Sequence, residues 1–285
     1  MRHLKIAAIN FLNPAPLMWD FEHEPDKSRL AERYSIHQTT PAECADEMDQ
    51  GTADIGLIPV ASLAFAPSLA VIPGCAIASL GDIRSILLVV RHADGVRGAG
   101  KVALDTSSRT SAVYTRILFH KYWNAGAEFV SHKPDLEAML KVADAALLIG
   151  DPALLALEDR AARAQRTGEK LAYLDLGREW RALTGSAWVS AFWAVRPEGL
   201  REAGVSAQSV TRDFQQSRDN GLAHIDDLVA EWSARLTVPA ATIRTYLTRN
   251  IHYHLDNACL EGLQIFYRYG VECAALTAVP ELRFL

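Results

Sequence analysis

The run Ile9-Asn10-Phe11-Leu12-Asn13-Pro14-Ala15-Pro16-Leu17, directly after the apolar segment Leu4 to Ala8, most constrains what this chain can fold into. A buried strand has to stop there, because Pro14 and Pro16 carry no amide donor and delay any helical turn until about Ala15. A stiff loop at the C-terminal end of a strand is where open α/β sheets hold ligands. Asn10 and Asn13 each offer an amide that donates and accepts toward such a ligand; as plain turn formers they satisfy their own backbone instead.

The same strand-then-helix plan recurs. Arg33 to Thr39 alternates like a strand, and Pro41 then opens a helix with Thr40 as its cap. Ala53 to Val60 reads as a short buried strand with Asp54 at its entry and Pro59 where the next helix begins. Such βα units predict an α/β fold built on mainly parallel sheets covered on both faces. Leu69 to Ser79 and Ser85 to Val90 are further strands, and the turn Gly81-Asp82-Ile83-Arg84 brings Arg84 and Ser85 to the edge of a cleft. Between Arg91 and Gly100 the composition turns to glycine, alanine and charge, a shift that marks a first crossing between domains. Gly95 to Lys101 nearly matches a phosphate-binding loop, but Val102 replaces the hydroxyl that would hold magnesium and a strand follows where a helix is required.

Asp105-Thr106-Ser107-Ser108-Arg109-Thr110-Ser111 places five hydroxyls at the start of one helix. Capping needs only one of them. Free amides, the helix dipole and short hydroxyl donors together favour a carboxylate or phosphate, so Thr106, Ser107, Ser108, Thr110 and Ser111 are candidate ligands. Arg109 either adds a bidentate carboxylate contact or points to solvent. Ala145 to Gly150 is another buried strand, and in Gly150-Asp151-Pro152 the aspartate reads as a cap while Gly150 and Asp151 share the ligand edge. Strands at Leu171 to Leu174 and Trp188 to Val195 follow. After Arg196-Pro197 come helices at Leu200 to Asn220, Ile225 to Leu236, Ala240 to Thr248 and Leu255 to Tyr269. Two crossings of this kind are the wiring of hinged two-lobe proteins with the ligand between lobes. The expected lobes are 1–90 with 196–285, and 91–195.

A chain of 285 residues exceeds a single core, and at 49% hydrophobic residues and a formal net charge of -5 it has neither a disordered composition nor a basic field for nucleic acid. The expected partner is a small molecule. Cys44, Cys75, Cys259 and Cys273 are too scattered for a zinc pattern and suit buried thiols in a reducing compartment. His252 and His254 lack a third ligand, so no metal is expected. No 18-residue apolar run and no signal-peptide core appear, which predicts a cytoplasmic protein without a membrane anchor.

Five stretches carry a resemblance over nearly the whole chain: Ile9 to Leu17, Asp54-Ile55-Gly56-Leu57-Ile58-Pro59-Val60, Asp105 to Ser111, Ile149-Gly150-Asp151-Pro152, and Trp188-Val189-Ser190-Ala191-Phe192-Trp193. In order and spacing they resemble the chorismate dehydratases of the futalosine route to menaquinone. The resemblance implies a fold similar to type 2 periplasmic binding proteins, used as a cytoplasmic lyase that converts chorismate to 3-(1-carboxyvinyloxy)benzoate and water. The related 1,4-dihydroxy-6-naphthoate synthases share the fold but open differently from the Asn10 to Pro16 stretch. Because aromatisation drives the elimination, no cofactor is expected. Two candidate bases stand side by side: the substrate's own enolpyruvyl carboxylate, oriented by Asn13 and Ser85, or Asp151. A noncatalytic binding protein for a small anionic metabolite is the rival from another class.

Overall fold

A computed structural model of the chain describes residues 2–91 and 95–285. Residues 92–94 of the linker-like stretch lie outside the described residues. The strands are, in chain order, β1 (Leu4–Ile9), β2 (Tyr34–Thr39), β3 (Ile55–Pro59), β4 (Ala70–Ser79), β5 (Ile86–Val90), β6 (Lys101–Asp105), β7 (Glu128–His132), β8 (Ala145–Ile149), β9 (Ala172–Asp175) and β10 (Trp188–Val195). They form two five-stranded sheets, ordered β2-β1-β3-β10-β4 and β7-β6-β8-β5-β9. Each sheet centres one lobe of an α/β fold.

Both sheets are mixed, which corrects the expectation of mainly parallel ones. β1 runs parallel to β2 and β3, and β6 to β7 and β8, whereas β10 is antiparallel to β3 and β4, and β5 to β8 and β9. The reason is the crossings. β1, β3, β6 and β8 run toward the cleft, but a strand arriving from the other lobe enters at the cleft edge and has to run away from it. β5 and β10 are the arriving strands. The crossings therefore lie between Ser79 and Ile86 and between Asp175 and Trp188, so the boundaries expected at residues 90/91 and 195/196 shift: β5 belongs to the second sheet and β10 to the first.

Local chemistry explains the element ends. Thr40 Oγ1 accepts from the Glu43 amide while the Glu43 carboxylate accepts from the Thr40 amide, a full capping box for the Pro41–Asp49 helix. Gly95–Gly98 forms a single 3₁₀ turn before β6, so the near-match to a phosphate loop has no helix behind it. The helix expected over Leu200 to Asn220 is two, Pro197–Ala203 and Ala207–Ala223, broken where Gly204 turns left-handed at φ 67° and Ser206 caps anew. Asp54 is structural: buried at the start of β3, far from the cleft end, it pairs with Arg2 at 2.7 Å and accepts from the Lys5 amide.

The C-terminal helices pack on the first sheet, where Ser217 Oγ donates to Leu17 O and accepts from the Asp20 amide. They also reach the second lobe. Tyr114 of the Thr110–Ile117 helix stacks on Trp188 with ring centroids 3.6 Å apart and packs on Phe266 of the Asn257–Glu272 helix. Trp188 and Trp193 are buried core residues. Among the described residues no helix is long and apolar enough to cross a membrane.

Candidate active site

Between the cleft edges of the two sheets lies a partly enclosed cavity with a free volume of about 40 Å³. The ends of β1, β3 and β8 and the starts of β5 and β10 surround it, through Ile9, Pro59, Ile149, Ile86 and Ala191. Helical turns begin beside it at Pro41, Val60, Thr110 and Gly150, so several helix N-termini converge on one space. Its polar lining is Asn13, Ser85, Ser108, Thr110, Ser111 and Ser190, and among the described residues no charged side chain lines it.

Four of those hydroxyls share one arrangement. Ser108 Oγ accepts from the Ser111 amide at 3.1 Å, Thr110 Oγ1 from the Ala61 amide at 3.2 Å, Ser190 Oγ from Trp188 Nε1 at 2.8 Å and Ser85 Oγ from the Tyr246 hydroxyl at 2.7 Å. A hydroxyl whose oxygen is held by a protein donor keeps its own proton to give away. Each of these side chains therefore still has a proton to donate, and all four line the cavity. Asn13 is the complement: its Oδ1 is a buried acceptor with no hydrogen-bond partner among the described residues.

Cross-lobe bonds draw the walls together. The Leu12 amide donates to Asp151 Oδ1 at 2.9 Å, the Ala42 amide to Ser107 O at 3.2 Å, and Arg109 pairs with Asp46 at 2.5 Å. Asp151 does not cap its own helix, which has no side-chain cap, so the capping expected from the sequence gives way to this grip on the asparagine loop. Burial pushes the Asp151 carboxyl up to about 6, opposed by the Leu12 amide, which favours the ionised form. Gly150 takes φ +62°, and a Cβ there would sit 2.6 Å from the Phe11 ring. Its amide donates to Ser85 O at 2.8 Å, so Gly150 makes room for Phe11 and has no amide left for a ligand.

Of the residues singled out in the sequence, Asn13, Ser85, Ser108, Thr110, Ser111 and Gly150 line the cavity. The others do not. Asn10 is exposed, with its amide bonded to Thr39 O. Thr106 is exposed as well, and its amide donates to His132 O. Ser107 is turned into the buried Asp105 carboxylate, which takes both its amide and its hydroxyl as well as the Ile149 amide. Arg109 faces outward to Asp46, and Arg84, held at φ 66°, pairs with Glu158 at 2.6 Å while Asp175 accepts its amide. Asp151 stands behind the loop rather than in the lining. Sequence reasoning missed Ser190 and Phe11 as lining residues, although both lie in motifs it quoted, and missed Tyr246 altogether because nothing nearby in the chain points to Ser85.

The four cysteines are free thiols. His252 pairs with Asp256 at 2.8 Å rather than with His254, and Cys259 completes a group whose potential ligand atoms lie within 4.8 Å of one another. Asp256 is the cap of the Asn257–Glu272 helix, accepting from the Cys259 amide, and burial raises the Cys259 thiol to about 12, which disfavours the thiolate a metal would need. These residues are better explained as a helix start.

Residues 4–272 match the sequence model of a family described as menaquinone biosynthesis. The chain belongs to that family. Among solved structures it is similar to a protein from Archaeoglobus fulgidus, at 13% identity and a TM-score of 0.71 over 96% of this chain and 98% of that one. It is also similar to the periplasmic aliphatic sulphonate binding protein of Escherichia coli (16%, TM-score 0.64, 99% and 94% covered). The alkanesulfonate-binding protein of Xanthomonas axonopodis pv. citri, bound to MOPS, is a third (13%, 0.63, 98% and 94%). At these identities the likeness concerns the fold, and it agrees with the two-lobe architecture.

Proposed function

We propose that the protein is a cytoplasmic hydro-lyase, a chorismate dehydratase forming 3-(1-carboxyvinyloxy)benzoate and water for menaquinone biosynthesis. The observation that carries this reading is the polarity of the cavity: hydroxyls pinned as donors on several walls and one unpartnered buried acceptor, Asn13 Oδ1. Chorismate has the matching groups, two carboxylates that accept and a ring hydroxyl that donates. Recognition by hydroxyls and helix N-termini leaves the carboxylates less neutralised than an arginine pair would, so one of them stays basic.

In this reading the enolpyruvyl carboxylate takes the hydrogen from the ring carbon next to the hydroxyl-bearing one. The C–H electron pair becomes part of the aromatic ring, the ring C–O bond breaks, and the carboxyl just formed returns its proton to the departing oxygen, which leaves as water. Asn13 Oδ1 accepts from the leaving hydroxyl and holds the conformer; Ser85, with Ser108, Thr110 and Ser111, donates to the carboxylates. Asp151 holds the Asn13 loop through Leu12 and need not touch the substrate. No metal or organic cofactor is required for a redox-neutral elimination, so exhaustive EDTA treatment should leave turnover unchanged, and restoration of a lost activity by zinc or magnesium would count against it.

A noncatalytic role as a binding protein for a small anion is the second reading, favoured by the similarity to sulphonate-binding proteins. Incubation with chorismate, followed by ultraviolet detection and mass spectrometry of the product, separates the two. Appearance of the aromatic product supports the lyase; chorismate bound but recovered intact supports the binding protein.

A further inference from the structure

Ser85 stands where the chain first crosses between the lobes, and a turn from the far end of the sequence grips that crossing at two points. The π-helical turn Tyr246–Asn250 sends the Asn250 Nδ2 amide to Asp82 O at 3.0 Å and the Tyr246 hydroxyl to Ser85 Oγ at 2.7 Å. π turns cost regular helical bonds and are often found at functional sites. Tyr246 and Ser85 are each only 1% exposed, so water does not compete for this bond. Ser85 Oγ is the hydrogen-bond partner that the Tyr246 hydroxyl has among the described residues. If Ser85 donated instead, the phenol proton would be buried without an acceptor, so donation from Tyr246 is the satisfied arrangement.

We propose that Tyr246 is a positioning residue for the Ser85 hydroxyl, fixing its oxygen as an acceptor so that its proton is delivered into the cavity toward the ligand's carboxylate. The inference rests on the site assigned above and adds a residue that does not touch the ligand. Tyr253 provides an internal control. It is buried in the same C-terminal segment, and its hydroxyl has no partner among the described residues.

The test is a cycle of Tyr246→Phe, Ser85→Ala and the double variant, with Tyr253→Phe alongside, read by chorismate turnover, KM and thermal unfolding. Tyr246→Phe is expected to lower kcat about tenfold with a smaller change in KM, because the donor is misdirected rather than removed. In the Ser85→Ala background it should have no further effect, and Tyr253→Phe should leave kcat and KM within about twofold of wild type. Wild-type turnover in Tyr246→Phe, or an undiminished loss in the Ser85→Ala background, would overturn the proposal. If the wild type binds chorismate without converting it, the reaction assigned above has failed, and the same cycle is read on the chorismate Kd. A readout independent of any ligand is the ring carbon bearing the hydroxyl in isotopically labelled tyrosine: in Ser85→Ala the Tyr246 signal should shift and the Tyr253 signal should not. An unmoved Tyr246 signal would remove the coupling, and this measurement stands even if Tyr246→Phe fails to fold.

Discussion

The two loops that face each other across the cavity look equally rich in ligand-binding groups, yet the protein uses them in opposite ways. In the second-lobe loop Asp105 to Ser111, most polar groups serve the protein: Ser107 is turned into Asp105, Ser108 caps the Ser111 amide, Thr110 receives Ala61 from the other lobe, and Arg109 pairs with Asp46. In the first-lobe loop the Asn13 amide oxygen is buried and has no hydrogen-bond partner among the described residues. The difference teaches that a crowd of hydroxyls is largely self-consuming. It still yields donors, because an oxygen that accepts leaves its hydrogen free, whereas a single unpaired amide supplies the acceptor.

The sharpest way to break this contrast is Asn13→Ala. The loop is held by Asp151 and by its prolines rather than by the Asn13 side chain, so turnover should fall on the order of a hundredfold while the melting temperature stays near wild type. Comparable losses in turnover and stability would show Asn13 to be a turn former after all.

Thr110 and Ser111 sharpen it, since both line the cavity but only Thr110 Oγ1 also holds a buried amide of the other lobe. Ser111→Ala should weaken chorismate binding by about 1 to 3 kcal/mol with little change in stability. Thr110→Ala should weaken binding similarly and also destabilise the fold by about 1 to 3 kcal/mol, because the Ala61 amide loses its partner. Calorimetric affinities together with denaturant melts check both; equal stability in the two variants would mean that the Ala61 bond does not matter.

Asp151→Asn should have a smaller effect on turnover. Asparagine still accepts from the Leu12 amide, so under the substrate-assisted reading activity stays within about fivefold of wild type, whereas a catalytic base would cost a hundredfold or more. The stability signature has a definite sign. With a native carboxyl raised to about 6, above its value in the unfolded chain, the native state binds the extra proton between roughly pH 4 and 6. Its contribution is therefore greatest at low pH and is lost as pH rises through 6. Denaturant melts across pH 4 to 8 should show this decline in wild type and a flatter profile in Asp151→Asn.

The smallest effect is expected for Arg109→Ala. Its ion pair with Asp46 is about 40% to 50% exposed at both ends, and such pairs contribute less than about 1 kcal/mol. Chorismate affinity should be nearly unchanged, and a collapse in affinity would place Arg109 at the ligand despite its outward course.

Most strand and helix positions, the proline-bounded asparagine loop, the Thr40 cap and the existence of two crossings, though not where they lie, were legible in the sequence. They follow from local physics: proline without an amide donor, apolar runs of strand length, and polar groups at helix starts. The family resemblance was legible for the same reason, since its motifs are those loops. Only tertiary structure decided the rest. Whether β5 and β10 run with or against their neighbours depends on the edge at which a crossing chain enters a sheet, and no local residue pattern encodes that. Whether Asp151 caps its helix or grips Leu12, and whether Thr110 serves the ligand alone or also holds the Ala61 amide, depends on partners 139 and 49 residues away in the chain. A hydrogen bond is directional and short, so the role of a polar side chain is settled only when the fold has placed its partner, as Tyr246 is placed on Ser85 from 161 residues away.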